Sequence, residues 1–393
     1  MNTVLYFQSQ SKTNAGEKLG GVQNIAAKCE WLVQVVEGLP PPKRLKELVE
    51  FWSPVGAIVE CGGTAATVDP AVFGPLPVVF LDHDPSCLPK NAFCVTHDSA
   101  ATAKMAAREL MLGGAQSFAF VPYPARRFWS DERERGFISA LSLNGRACRV
   151  FGGRPSSANP TRYPRELRAF LLELPKPCAL FAANDWTAAE VLNAAAFAGV
   201  KVPDDLAVVG VDDAHDICER TTPTLSSVKP DFQRGGELAA LLLAARLRDK
   251  ADFKGPRQRT FGPLMVVARA STRRLGVCDG VVASAIELIR REACSGLAAC
   301  DVLKRFPCSR RQAEIRFRRA TGHSVLDEIH TVQLERAKRL LLEGSLPLKA
   351  ISDFCGFQNP NSLRKFFRKE TGQSMTDWRN GRRRAYQRPT AAR

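Results

Sequence analysis

Short apolar runs alternate with amphipathic stretches through the first two-thirds of the chain. Val4–Phe7, Trp31–Val36, Val55–Val59, Val78–Leu81, Phe118–Val121, Cys178–Ala182, Leu206–Val211 and Leu264–Ala268 are brief, rich in β-branched or aromatic residues, and bounded by turn formers. That is the pattern of buried strands, and Arg149–Phe151 is a fainter example. Between them, helical spacing predicts helices over Ala15–Lys28, Pro40–Phe51, Asp98 to about Leu112, Asp131–Leu143, Arg165–Glu173, Trp186–Ala198 and Phe232–Arg248. Gly113-Gly114, Asn144-Gly145 and Gly199 stop three of these, and Asp98 reads as an N-cap. Strands alternating with helices predict parallel sheets covered on both faces. Such a segment of roughly 270 residues is large for one core, so two lobes are expected.

Beyond about residue 275 the strand pattern gives out and the chain repeats itself. Ala313-Glu314-Ile315-Arg316-Phe317-Arg318-Arg319-Ala320-Thr321-Gly322-His323-Ser324 is echoed by Leu363-Arg364-Lys365-Phe366-Phe367-Arg368-Lys369-Glu370-Thr371-Gly372-Gln373-Ser374. An offset of fifty sets Phe317 on Phe367, Thr321 on Thr371 and Gly322 on Gly372. One supersecondary unit is used twice, each a short helix, a turn and a second helix. Leu334–Glu343 reads as the helix that joins them. With Ile351-Ser352-Asp353-Phe354-Cys355-Gly356-Phe357 and a closing Trp378-Arg379, this stretch resembles the DNA-binding domain of AraC/XylS-family regulators. A merely solvated basic bundle would share the charge but not the repeat.

Charge sharpens the division. The 393-residue chain carries +16, and residues 276–393 hold 23 Lys and Arg against 12 Asp and Glu, a net +11 that leaves +5 for the first 275. The polyanion-binding part is therefore the tail, and the helix-turn-helix pair favours duplex DNA over RNA or a membrane surface. No apolar run reaches the ~18 residues of a membrane span, and no basic-then-apolar leader opens the chain. A cytoplasmic protein is expected. The 12 cysteines are scattered without a C-x-x-C pair or a His cluster. No metal or other cofactor is expected, and most thiols should be reduced, buried and structural.

A second resemblance lies in the α/β part. Phe181-Ala182-Ala183-Asn184-Asp185 runs through Gly199-Val200-Lys201-Val202-Pro203-Asp204-Asp205-Leu206 into Ala207-Val208-Val209-Gly210-Val211-Asp212-Asp213. Thr222-Pro223-Thr224-Leu225-Ser226-Ser227-Val228 follows, and Ser130-Asp131-Glu132-Arg133-Glu134-Arg135-Gly136-Phe137 precedes. This resembles the effector-binding domain of LacI/GalR regulators, itself similar to periplasmic sugar-binding proteins. The match is dense from about 98 to 232. That family's DNA-binding headpiece is not found ahead of it, and an AraC-type domain stands behind it, an order that resembles bacterial xylose-operon regulators. The implied architecture is a two-lobed α/β effector and dimerisation domain over 1–275, then a helical DNA-binding domain over 276–393.

Ligands of open parallel sheets sit outside the carboxyl ends of strands. Gln8, Asn184, Asp185 and Asp212 follow strands, and Arg133 opens a helix near the same edge. The resemblance places Arg133, Asn184 or Asp185, and Asp212 on the ligand. Their chemistry suits a sugar: carboxylates and amides pair with vicinal hydroxyls, and arginine offers a rigid fork of donors. Phe128 and Trp129 are candidates to cover an apolar sugar face. The alternative roles are local, with Asn184 and Asp185 capping the helix at Trp186, Arg133 as a surface charge and Asp212 as a turn carboxylate.

In the tail, the second helix of each unit should enter the major groove. The first runs from an N-cap at Ser309 to about Arg319, with Arg310, Arg311, Gln312 and Glu314 foremost. Arginine reads guanine, glutamine adenine, and glutamate cytosine. The second runs from about Pro360 to Lys369 and exposes Asn361, Ser362, Arg364 and Lys365. Arg318, Arg319, Arg368 and Lys369 suit phosphates, and Phe317 and Phe367 suit the core. Pro307 stands where such turns often carry glycine, and the second turn is one residue longer.

The reading is a DNA-binding regulator whose effector is a small sugar. Besides operator DNA and the sugar, the resemblance implies a second copy of the chain and RNA polymerase as partners, and no membrane. The chain lacks a Gly-rich phosphate loop, a G-x-S-x-G elbow and an H-E-x-x-H helix, so no catalytic residue is assigned. A transport-type binding protein is opposed by the basic tail. An alkyl-transfer repair regulator is opposed by cysteines that lack a ligand cluster.

Overall fold

The computed structural model describes residues 2–9, 15–60, 69–125, 127–249, 255–272, 280–321, 323–343 and 346–379. Two six-stranded sheets define the two lobes. Sheet one runs β11 (Gln258–Phe261), β5 (Phe93–His97), β4 (Val78–Leu81), β3 (Gly56–Glu60), β1 (Asn2–Gln8), β2 (Trp31–Glu37), parallel throughout. Sheet two runs β12 (Pro263–Val267), β10 (Ser226–Pro230), β9 (Leu206–Val211), β8 (Cys178–Ala182), β6 (Ser117–Val121), β7 (Cys148–Val150). Only β12 is antiparallel to its neighbour. Strands β3, β8 and β9 are buried along their whole length. That is why they read as unbroken apolar runs rather than alternating ones.

Helices cover both faces of each sheet. In lobe one, α1 (Ala15–Lys28) packs on α8 (Phe232–Asp249). The two backbones nearly touch, since a Cβ on Gly236 would lie 1.9 Å from the Lys18 carbonyl oxygen. Only glycine fits there. Lobe two is wrapped by α3 (Ser99–Leu112), α4 (Phe128–Ser142), α5 (Arg162–Glu173) and α6 (Asp185–Ala198). Asp98 caps α3 as expected, accepting from the Ala101 amide at 2.8 Å.

The chain passes between lobes three times: from β5 to α3, from β10 to α8, and from β11 to β12. These crossings are tied to each other. The Asp98 amide donates to the Phe261 carbonyl (2.8 Å) and the Asp231 amide to the Gly262 carbonyl (3.0 Å). Strands β5, β10 and β11 escape the sequence pattern. β10 and β11 are built of Ser226-Ser227-Val228-Lys229-Pro230 and Gln258-Arg259-Thr260-Phe261. In β10 tertiary partners satisfy the buried polar groups, such as Ser271 Oγ for the Ser226 amide, while β11 is an exposed edge strand set by its pairing with β5.

The helical domain comprises α9 (Gly280–Glu292), α10 (Ala299–Leu303), α11 (Arg310–Thr321), α12 (Val325–Glu343), α13 (Leu348–Phe354) and α14 (Pro360–Thr371). Helix α12 begins nine residues before the expected Leu334. A reciprocal Ser324–Asp327 cap starts it: Ser324 Oγ accepts from the Asp327 amide at 3.1 Å and donates to its carboxylate at 2.7 Å. The expected boundary at 275/276 lies outside the described residues. The expectation of mostly buried thiols needs correcting. Among the described residues only Cys94, Cys178, Cys218 and Cys355 are buried. Cys87 is exposed, and Cys29, Cys148, Cys294, Cys300 and Cys308 are partly so, sitting on turns and element ends that the cores do not cover. Cys61 and Cys278 lie outside the described residues. Among the described residues no helix is long and apolar enough to cross a membrane.

The helical domain docks on lobe two. Leu112 of α3 joins the core built by α9–α12, while Leu264 and Met265 of β12 join the core of the second unit. Glu328 of α12 accepts from Arg108 Nη2 (3.0 Å) and pairs with His323 Nε2 (2.7 Å). Lys338 of α12 donates to the Leu264 carbonyl.

Candidate effector cleft and DNA-reading helices

The carboxyl ends of the two sheets meet beneath the crossings. Arg133, on the second turn of α4, is buried there. Its Nη1 donates to the Ala183 carbonyl at 2.5 Å, its Nη2 lies 3.9 Å from Asp212, and its guanidinium stacks over Trp129 at 4.7 Å. Nη2 is also 3.2 Å from His97 Nδ1. An arginine only donates, so Nδ1 must accept and Nε2 must carry the proton given to Thr102 Oγ1 at 2.8 Å. Burial, then the charges of Arg133 and Lys18, push His97 well below its usual value and keep it neutral. Arg133 Nε is buried without a hydrogen-bond partner among the described residues.

Asp212 follows β9 with a positive φ of 112°, a conformation that costs a non-glycine residue energy and marks a site held by its surroundings. Burial raises its pKa to about 6, against the pull of Arg133 and Lys18. Asp82 follows β4 in lobe one, also with positive φ. It takes Lys18 Nζ at 2.5 Å, and the same ammonium meets Glu60, at the end of β3, at 3.0 Å. Tyr6 and the Ser9 amide also donate to Glu60, at 2.9 and 3.3 Å. Burial opposes the charge on Lys18, but Asp82 and Glu60 outweigh it and raise its pKa. The lobes are further bridged by Lys229 of β10 and Glu17 of α1 at 3.1 Å.

The structure thus brings Arg133 and Asp212 together. Gln8 ends β1 at the carboxyl edge of sheet one, half-buried. Asn184 takes the capping role, accepting from the Thr187 amide (3.0 Å) and hydroxyl (2.8 Å). Asp185 departs from the expected ligand contact. It has no exposed surface, and its oxygens accept from the Ala214 amide (2.8 Å), Ser227 Oγ (2.7 Å) and Cys218 Sγ (3.3 Å). Its carboxylate is consumed in tying β8 to β9 and β10. Trp129 lies against the Arg133 guanidinium and meets Tyr123 with its ring tilted at 49°. Lys18, Glu60, Asp82 and His97 were not among the expected residues. The rule that singled out Asp212, a polar residue at a strand's carboxyl end, applies equally to Glu60 and Asp82.

In the helical domain, α11 buries Ala313, Phe317 and Thr321, and α14 buries Leu363 and Phe367. Arg310, Arg311, Arg318 and Arg319 are exposed, as are Asn361, Ser362, Arg364, Lys365, Arg368 and Lys369, while Glu314 is half-buried. Gln312 is exposed and also takes part in the helix cap. Its side-chain oxygen accepts from the Ser309 amide (3.4 Å) and hydroxyl (3.2 Å), closing a capping box at the helix start. Ser309 and Asn359 occupy the same N-cap fifty residues apart, Asn359 accepting from the Ser362 amide at 2.9 Å. Asn361 accepts from Arg364 at 3.2 Å. The second turn holds Gly356 at φ +75°, pressed on the Cys294 backbone. The exposed Ile315 was missed, because an apolar residue in a helix reads as core.

Residues 107–272 match the model of a periplasmic binding protein-like domain, and residues 302–381 that of a helix-turn-helix domain. The xylose operon regulatory protein of Haemophilus influenzae is 27% identical over 288 residues, 72% of this chain and 74% of that one. Its Escherichia coli K12 counterpart is 28% identical over 290 residues, 73% of each. A solved structure of the xylose-binding transcription activator XylR covers 96% of this chain and 97% of its own, at 24% identity and TM-score 0.59. The regulator CelR with cellobiose covers 69% of this chain and 84% of its own, at 19% identity and TM-score 0.55. Fold and matches together define a ligand-responsive, DNA-binding transcription regulator, with a two-lobed periplasmic-binding-protein-like domain ahead of an AraC-type helix-turn-helix domain. Within that class the chain is similar in sequence to the xylose operon regulatory proteins over 72–73% of its length, and in fold to the XylR structure over 96%.

Proposed function

We propose that the effector is a small neutral sugar, a pentose such as xylose, held between the lobes by Arg133 and Asp212, with Gln8, Asn184, Asp82 and His97 at the same cleft. The observation that carries this is Arg133. It is buried at the meeting of the lobes, oriented by Ala183, Trp129 and His97, and its Nε has no partner among the described residues. A buried donor of that kind calls for an acceptor such as a hydroxyl. Asp212 supplies the complementary acceptor. No covalent chemistry is needed, and the protein works by binding alone.

Closure of the lobes on the sugar bends the three crossings. The strand leaving one of them, β12, carries Leu264, whose carbonyl takes Lys338 and whose side chain lies in the core of the second helix-turn-helix unit. Lobe movement therefore reorients the DNA-binding domain, which this reading bounds at residues 276–393. The functional unit is a homodimer in the cytoplasm, engaging two half-sites and, once bound, RNA polymerase. On DNA, α11 and α14 occupy successive major grooves about 34–36 Å apart.

A thermal-shift screen of pentoses and hexoses tests the effector, because a ligand of the folded state raises its melting temperature. Asp212→Ala and Arg133→Ala should each weaken the stabilising sugar strongly. Unchanged sugar affinity in both variants moves the site elsewhere. Sugar affinity with and without operator DNA tests the coupling, which must be reciprocal.

A further inference from the structure

The first reading helix carries a residue that the fold does not explain. On α11 the core takes Ala313, Phe317 and Thr321. At 3.6 residues per turn, Arg311, Ile315 and Arg318 then form one stripe on the exposed side. Ile315 is 58% exposed, a large branched apolar side chain between two exposed arginines on a helix otherwise crowded with charge. It lines a surface groove with Leu303 and Leu326, whose charged rim is Arg310, Arg311, Glu314 and Arg318. At the matching position fifty residues on, α14 carries the exposed Lys365.

We infer that Ile315 contacts a thymine methyl group and makes the first unit discriminate thymine at one position of the operator. The inference rests on α11 being a DNA-reading helix. In the major groove the C5-methyl of thymine is the one apolar group that a base pair presents. The flanking arginines bring Ile315 to the duplex by charge and pair with phosphate or guanine, while Ile315 itself can offer only van der Waals contact. The two units therefore read differently: the first has an apolar probe at its centre, and the second has an ammonium there, which suits phosphate or a guanine edge.

The test uses the full-length chain. A duplex is selected from a random library, and each thymine in it is replaced singly by deoxyuridine, which removes only the methyl group. Binding is followed by fluorescence anisotropy at fixed salt. One position should weaken binding about fourfold when its methyl is lost, the worth of one buried methyl group. Ile315→Ala should bind the unmodified duplex more weakly by a similar factor and be indifferent to deoxyuridine at that position. Lys365→Ala serves as control, keeping the wild-type deoxyuridine profile. Ile315 is exposed, so the alanine variant keeps its fold, which circular dichroism checks. Indifference of the wild type to every deoxyuridine overturns the inference, as does an Ile315→Ala variant that retains the wild-type profile. Failure to select any duplex would instead count against DNA reading by α11 as a whole.

Discussion

One buried carboxylate, Glu328, anchors the polar part of the contact between the helical domain and lobe two, beside the apolar contacts of Leu112, Leu264 and Met265, and removing it should loosen the docking. Glu328 has a side-chain exposure of 2%, and its partners Arg108 and His323 sit at 30% and 14%. Deleting one member of a buried ion pair costs about 3–5 kcal/mol, because the other charge is stranded. Arg108 is partly solvated, so Glu328→Ala should fall at the lower end, about 3 kcal/mol. The loss falls on docking rather than on either core. Hydrogen exchange read by mass spectrometry isolates it. Peptides of α12 and α3 should exchange on the order of a hundredfold faster, at 1.4 kcal/mol per decade, while β8 and β9 stay protected. Arg108→Ala leaves the buried Glu328 with His323 alone and should cost at least as much, and the double variant should fall well short of the sum. Strict additivity, or unchanged protection in α12, would refute the reasoning. The pH dependence has a definite sign. Burial raises the Glu328 pKa, but the His323 hydrogen bond and the Arg108 charge overcome it and leave the carboxyl below its ordinary 4.5. Its contribution is therefore present above that value and lost as pH falls through the lowered one, so acid should loosen the docking in the wild type more than in Glu328→Ala.

Three further outcomes are expected. Gly356→Ala forces a left-handed φ on alanine and sets a Cβ 2.7 Å from the Cys294 carbonyl carbon. It should destabilise the second unit by roughly 1–3 kcal/mol, and DNA affinity should fall in a gel-shift titration. Phe317→Ala and Phe367→Ala each empty a fully buried site, Phe367 against Trp378 at 5.7 Å, and each should cost about 3–5 kcal/mol in denaturant melts of the domain. Asp212, raised to about 6 from an ordinary 3.8, holds its proton more tightly when folded. Its contribution is therefore full below the lower value and lost as pH rises through the upper one. In Asp212→Asn, effector-domain melting temperature should vary less between pH 4 and 7.

Much of the fold could be read from residue order because its parts are locally encoded. Fully buried parallel strands such as Cys178–Ala182 and Leu206–Val211 announce themselves as apolar runs, and Asp98, Gly199 and Ser309 mark helix ends through their own local chemistry. The repeat at an offset of fifty exposed the paired helix-turn-helix units without any coordinates. Strand order in two separate sheets, the three tied crossings and the docking of α12 on lobe two depend on contacts between residues far apart in sequence. β10 became a strand because distant neighbours satisfy its buried polar groups, and β11 because it pairs along the edge of β5. The site divides in the same way. Arg133 and Asp212 were legible as polar residues at strand and helix ends. Whether such a residue faces a ligand or the chain itself is decided by what lies across from it. That is why Asp185 turned out to be consumed by Ala214, Ser227 and Cys218, and why Lys18, Glu60, Asp82 and His97 became visible only once the two lobes were brought together.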